Sequence, residues 1–210
     1  MDKLQDLPHV WRACLELALE GYNAGSLGIA AVITDKANRI IAWGRNQLSD
    51  NLDSCSSIRM SSVAHAEINA LHNLPQAYQG NRELTLYTTV EPCPMCLGAV
   101  AMSRVRSIKV GCADPHAGAT NLLTQNDYLR RKRIAVSFEG GAVEKLCFVL
   151  HYVSIKGRLG HNPHHPILVK IKKRYPHYVH TIDAYVESSS IFSPGRLTYD
   201  SLHSVLARMS

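Results

Sequence analysis

The chain has 210 residues, enough for one sizeable α/β core with an appendage but not for two full domains, and its 46% hydrophobic content is that of an ordinary globular protein. No run of about 18 apolar residues occurs, and the N-terminus Met1-Asp2-Lys3 is polar, so neither a membrane span nor a secretory leader is expected and a cytoplasmic location is. The formal net charge of +6 is compatible with a nucleic-acid partner and excludes a strongly acidic protein.

Pro8 opens a predicted helix running to about Tyr22, with Val10, Cys14, Leu17 and Ala18 at helical spacing and Asn23 and Gly25 at its end. Ile29 to Thr34 and Arg39 to Gly44 read as two strands of a hairpin around Asp35–Asn38. The polar stretch 47–62 is longer than a simple connection requires. Ala64 to Leu74 is helical and stopped by Pro75, and Leu84 to Val90 is a β-branched and aromatic strand. A helix from Pro92 and Cys93 to about Ser103 leads to a strand Ser107–Gly111. A helix Asn121–Leu129, a strand Ile134–Phe138 and a helix Ala142–Lys156 follow. This alternation after residue 84 predicts parallel strands joined by crossover helices. Gly157–Pro166 breaks the pattern. Beyond it, short helices are predicted at Ile167–Arg174, Tyr178–Val186 and Thr198–Met209, too short for a core of their own. They are expected to pack on the main domain or on a second subunit, which divides the chain into 1–157 and a helical extension 158–210.

Two fragments carry chemistry. His65-Ala66-Glu67 and Pro92-Cys93-Pro94-Met95-Cys96 offer one imidazole and two thiols of zinc-ligand type, with a carboxylate one residue away from the imidazole. Three protein ligands leave a fourth position for water, as in catalytic rather than structural zinc sites. Zinc can take the pKa of water from about 15.7 to about 7. Glu67, free of ligation, is suited to move that water's protons. His65 and Cys93 each fall at a predicted helix start, where the dipole and free N–H groups favour thiolate over thiol. Either fragment alone is weak evidence, since a Cys-x-x-Cys can be a redox pair. Together they form the H-x-E…P-C-x-x-C pattern of zinc enzymes that act on nucleobases.

Cys14, Cys55, Cys112 and Cys147 lack ligand spacing and read as buried small hydrophobes in a reducing compartment. His161, His164 and His165 have no carboxylate or thiol beside them and read as solvated loop residues. The basic groups Arg104, Arg106 and Lys109, the run Arg130–Arg133, and the cluster Lys170, Lys172, Lys173 and Arg174 fit either solvated faces or a nucleic-acid surface. Tyr175 and Tyr178, interleaved with that last cluster, read as packing residues rather than base-stacking platforms.

The segment from about Ile29 to Leu123 resembles the cytidine-deaminase-like superfamily, most closely the branch of tRNA adenosine deaminases and guanine deaminases. The likeness rests on Ala64-His65-Ala66-Glu67-Ile68-Asn69-Ala70-Leu71, on Leu86 to Cys96, on Gly98 to Arg104, and on Gly44-Arg45-Asn46. It implies a three-layer α/β/α sandwich on a five-stranded mixed sheet, here with the C-terminal helical extension. It implies that His65, Cys93 and Cys96 hold Zn2+, that Glu67 shuttles protons, and that Asn46, with Ile29 and Ala66, binds the substrate. A homodimer is also implied. The chain departs from the tRNA enzymes at Gly28-Ile29-Ala30, Met102-Ser103-Arg104 and His116-Ala117-Gly118. Two substrate classes therefore stand side by side: adenosine in tRNA, and a free guanine, cytosine or nucleoside. An inactive zinc-stabilised interaction module is a third reading.

Overall fold

Strand β1 (Ala30–Thr34) is apolar at every position but its last and buried at all of them, so it can only lie inside a sheet with both faces covered. The computed structural model describes residues 6–50, 57–160, 162–188 and 196–209, and places β1 second in a five-stranded sheet. The other strands are β2 (Ile40–Arg45), β3 (Thr85–Val90), β4 (Ser107–Cys112) and β5 (Ala135–Phe138), and the spatial order is β2-β1-β3-β4-β5. β1 pairs antiparallel with β2 and with β3, whereas β3–β4 and β4–β5 are parallel. The sheet is mixed, as the short hairpin before residue 46 and the helical crossovers after residue 90 require.

Alternation along the strands sends side chains to two cores. Ala30, Val32 and Tyr87 join one, and Ala31, Ile33, Leu86, Ile108 and Val110 join the other. The first core is capped by α1 (His9–Asn23) and α6 (Gly141–Arg158). The second is capped by α2 (Ala66–His72) and α3 (Pro94–Met102). This is a three-layer sandwich.

The predicted helix Asn121–Leu129 is in fact two, α4 (Leu122–Gln125) and α5 (Asp127–Lys132). Asn126 breaks it: in extended conformation, its side chain accepts from the N–H groups of Tyr128 and Leu129 and so caps α5.

The C-terminal helices α7 (Pro166–Arg174), α8 (Pro176–Ser188) and α9 (Tyr199–Leu206) bury Leu168, Ile171, Val179, Ile182, Leu202 and Val205 in the first core. Most of their apolar residues are covered within the chain, while Val169 on α7 stays exposed. Phe148 on α6 lies 4.4 Å, centroid to centroid, from Tyr175, and Tyr152 donates to Asp183 at 2.8 Å. Tyr175 is thus a packing residue, as expected, while Lys170, Lys172, Lys173 and Arg174 are solvent-exposed. Cys14, Cys112 and Cys147 are buried and unpaired; Cys55 lies outside the described residues. His164 is exposed, and His165 caps α7 by accepting from the N–H of Ile167; His161 lies outside the described residues. Among the described residues no helix is long and apolar enough to cross a membrane.

Candidate active site

His65 and Cys93 are the N-cap residues of α2 and α3, both extended, and Cys93 follows three residues after the carboxyl end of β3. Pro94 at the first helical position costs nothing, because its missing N–H would have had no intrahelical partner. Cys96 follows one turn later on α3 and is fully buried. The Nδ1 atom of His65 lies 3.6 Å from Cys93 Sγ and 3.5 Å from Cys96 Sγ, and the three donor atoms all fall within 4.8 Å of one another. A tetrahedral ion with Zn–S of about 2.3 Å and Zn–N of about 2.1 Å sets its nitrogen and sulfur ligands about 3.6 Å apart. The donors therefore stand at ligand spacing, and they could hold a zinc ion. Among the described residues no second group of this kind occurs.

The electrostatics agree with the donor set. Cys93 is pulled down to about 4, chiefly because the Cys96 thiol donates to it, with His65 adding to the effect. Cys96 is pushed up by that same bond and by burial. The two sulfurs share a proton that a metal cation would replace. His65 is raised, first by its bond to Cys93.

Glu67, in the first turn of α2, is 4% exposed, and burial raises its pKa. Its Oε1 lies 3.3 Å from the Thr88 hydroxyl, which also donates to the Val90 carbonyl at 2.8 Å. β3 thus holds the carboxyl in place.

Asn46, just past the end of β2, is buried, and its Oδ1 accepts from Ser26 Oγ at 2.7 Å and from the Leu48 N–H at 3.3 Å. A backbone N–H can only donate, so the amide orientation is fixed and Nδ2 is left as a donor. Asn69 on α2 secures this corner by bonding to the Arg45 carbonyl, Gln47 Oε1 and both backbone groups of Ile58.

A cavity of about 170 Å³ joins these groups; Asn46, His65, Glu67 and Cys93 line it, as do Ile29 and Ala66. At about 30 Å³ per water that is the space of some six waters, the scale of one heterocycle. Of the residues singled out in the sequence, Cys96 alone stays behind the wall. The cavity also takes in residues that the sequence did not mark as site residues. Asp114 and His116 come from the loop after β4, and His151, Ile155 and Ile167 come from α6 and α7. Glu91 holds that loop by accepting from the N–H groups of Asp114 and Thr120 and from the Thr120 hydroxyl. A single histidine inside the apolar run of α6 was the one signal that could have marked His151.

Residues 5–112 match the family model described as the cytidine and deoxycytidylate deaminase zinc-binding region. The chain is 39% identical over 110 residues to a tRNA-specific adenosine deaminase of Haemophilus influenzae, covering 51% of this chain and 59% of the relative. It is 36% identical over 100 residues to a guanine deaminase of Bacillus subtilis, covering 46% and 58%. The matches thus span about three fifths of the length of these relatives. Among solved structures, one from a study of A-to-I editing by tRNA:A34 deaminases is similar with a TM-score of 0.51 at 26% identity. It covers 62% of this chain and 97% of that one. A crystal structure of a mutant of the protein NE0047 in complex with 8-azaguanine has a TM-score of 0.52 at 25% identity, covering 69% and 82%. The ligand-spaced His65, Cys93 and Cys96 fall inside the matched residues, and the chain belongs to the cytidine and deoxycytidylate deaminase zinc-binding family.

Proposed function

We propose that this chain is a zinc-dependent hydrolase that removes the exocyclic amine of a nucleobase. The observation that carries the reading is the buried carboxyl of Glu67 in the same one-heterocycle cavity as His65, Cys93 and the Asn46 amide. His65, Cys93 and Cys96 would hold the zinc, which supplies the Lewis acidity that lets water ionise near neutral pH. Asn46 Nδ2 donates to an acceptor on the base and orients the ring. Glu67 takes a proton from the attacking water, then delivers protons to the ring nitrogen and to the departing amine. The carbon exchanges its amine for oxygen, and ammonia leaves. A non-ligand carboxyl has no use in a structural zinc site, which favours an enzyme over a zinc-stabilised module.

Between the two substrate classes, the α6 and α7 residues at the cavity favour a small base or nucleoside. Relatives named for tRNA keep the adenosine of an unpaired tRNA loop as the second reading, with the exposed Arg130, Arg131 and Arg133 as phosphate contacts. Any polynucleotide would have to present its base unpaired. An ammonia-release screen of zinc-loaded protein across bases, nucleosides and tRNA, with Glu67→Ala as control, tests the reading. Turnover should fall by about two to four decades in the variant. Turnover retained in Glu67→Ala would sink the mechanism. RNA binding whose log affinity falls with log salt by about 0.7 per neutralised phosphate would favour tRNA.

The same reading takes 1–157 as the deaminase domain and 158–210 as an extension that closes it, in a cytoplasmic homodimer. The exposed Met60, Val63, Met95 and Met102 before and along α2 and α3 support pairing of two copies on that face. Light scattering giving a mass near 23.2 kDa would reject the dimer.

A further inference from the structure

His151 is 3% exposed, and neither of its ring nitrogens has a hydrogen-bond partner. It lines the cavity that holds Glu67 and Asn46, yet it belongs to α6, beyond residues 5–112 that match the family. Buried polar groups without partners are rare, and each asks for an explanation. The rest of the cavity's polar groups are largely spent. Glu91 holds the loop after β4, Asp114 accepts from the N–H groups of His116 and Ala117, and His65 and Cys93 face one another. His116 is solvent-exposed. Glu67 is held by the Thr88 hydroxyl, and what remains without a partner inside is the Asn46 amide N–H2 and the His151 imidazole.

We propose that His151 is a base-recognition residue, pairing with a ring nitrogen, N–H or carbonyl of the heterocycle bound beside Glu67. This rests on the deaminase reading above and deepens it by naming a group that selects the ring. Burial lowers the imidazole's pKa, against the pull of Asp114, and so favours the neutral ring, in which one nitrogen donates and the other accepts. Such a group pairs with a heteroatom of either kind and is left unpaired by a C–H edge. Ile155 and Ile167 beside it offer only apolar contact, so polar selection on this wall falls to His151. A site built around a hydrogen bond rejects an analogue lacking the partner far more strongly than an apolar pocket rejects a methylene.

The test measures equilibrium binding of guanine, adenine, cytosine and their deaza analogues to zinc-loaded protein carrying Glu67→Gln, so that nothing is turned over. His151→Leu and His151→Gln are added to that background. His151→Leu should weaken the preferred base at least 10-fold, and one deaza substitution that weakens binding to the His151 protein should cease to matter in the Leu variant. His151→Gln should keep most of the affinity. His151→Leu should keep or raise the melting temperature, because no hydrogen bond is lost with the imidazole, so weaker base binding in this variant cannot come from unfolding. Equal affinity of the Leu variant and its parent for every base overturns the proposal. Binding of no base by the parent overturns the small-base reading on which the proposal rests.

Discussion

Gly44 on β2 and the first turns of α2 meet backbone to backbone: a Cβ on Gly44 would lie against the Ala70 nitrogen, 2.6 Å from the Ala66 carbonyl oxygen and 2.7 Å from the Asn69 carbonyl carbon. No side chain is there to give way. The helix rests directly on the strand, and this contact sets where His65 and Glu67 stand relative to Asn46, two residues past Gly44. Gly44→Ala must therefore push α2 off the sheet. Overpacking of this kind costs about 1–3 kcal/mol, or more when backbone must move. The expected result is a lower melting temperature together with at least 10-fold lower deaminase activity, a displacement of about 1 Å being enough to lose about two decades. Unchanged stability and activity in Gly44→Ala would mean that the close approach does not set the site.

Zinc should bind one per chain and should depend on both thiols. In a Cys93→Ala, Cys96→Ala double variant only His65 remains of the donor set, and metal analysis after dialysis should find zinc lost. With only three protein donors to hold the ion, either single variant should already weaken it. Undiminished zinc in the double variant would put the metal elsewhere.

The β1–β2 turn makes a prediction about acid. Asp35 accepts from Arg39 Nε at 2.7 Å and from the N–H groups of Ala37 and Arg39. The Arg39 guanidinium bonded to it, with those N–H groups, holds its pKa below the ordinary value of 3.8. A carboxyl depressed on folding contributes stability that is present above its unfolded pKa and lost as pH falls through the folded one. Asp35→Asn should lower the urea midpoint at pH 5 and above, and the gap from the parent should close below about pH 4. Both proteins should be measured free of metal, so that acid release of zinc does not enter. A gap that stays constant down to pH 3 would assign the effect to shape rather than charge.

Much of the site could be read in the sequence because its parts are local. His65 and Glu67 share one helix start, Cys93 and Cys96 share another, and in each a short motif states both the chemistry and the conformation that presents it. The sheet order was readable in outline, since a short polar turn at Asp35–Asn38 forces a hairpin and the later helices force crossovers. The break at Asn126 was hidden because an asparagine in the middle of a periodic pattern reads as tolerated, while its side chain in fact caps a new helix. The α6 and α7 side of the cavity was hidden for a different reason. Whether His151 turns toward solvent, core or ligand depends on where α6 lands beside β3 and β4, and periodicity within α6 cannot tell a buried apolar face from a cavity wall.

The last prediction concerns the extension. Tyr175 packs on Phe148, its hydroxyl accepts from the Ala113 N–H at 3.0 Å, and Asp183 receives both the Tyr152 hydroxyl and Lys156 Nζ. Asn23 on α1 clasps Leu197 with two bonds, one in each direction. These contacts run from α1, α6 and the loop after β4 to Tyr175, Asp183 and Leu197, and α7–α9 bury their apolar residues in the first core. Truncation after Arg158 would uncover Phe148 and its neighbours, each apolar side chain of that size being worth about 1.5–3 kcal/mol of burial. It would also remove Ile167 from the cavity wall. The truncated chain should therefore be poorly soluble, and any soluble fraction should have lost activity on free bases and nucleosides, not only on RNA. A tail that served RNA alone would behave otherwise: its removal would leave a soluble protein with full activity on small substrates and a shallower salt dependence of RNA binding. Recovery of such a protein would overturn the closing role assigned to α7–α9.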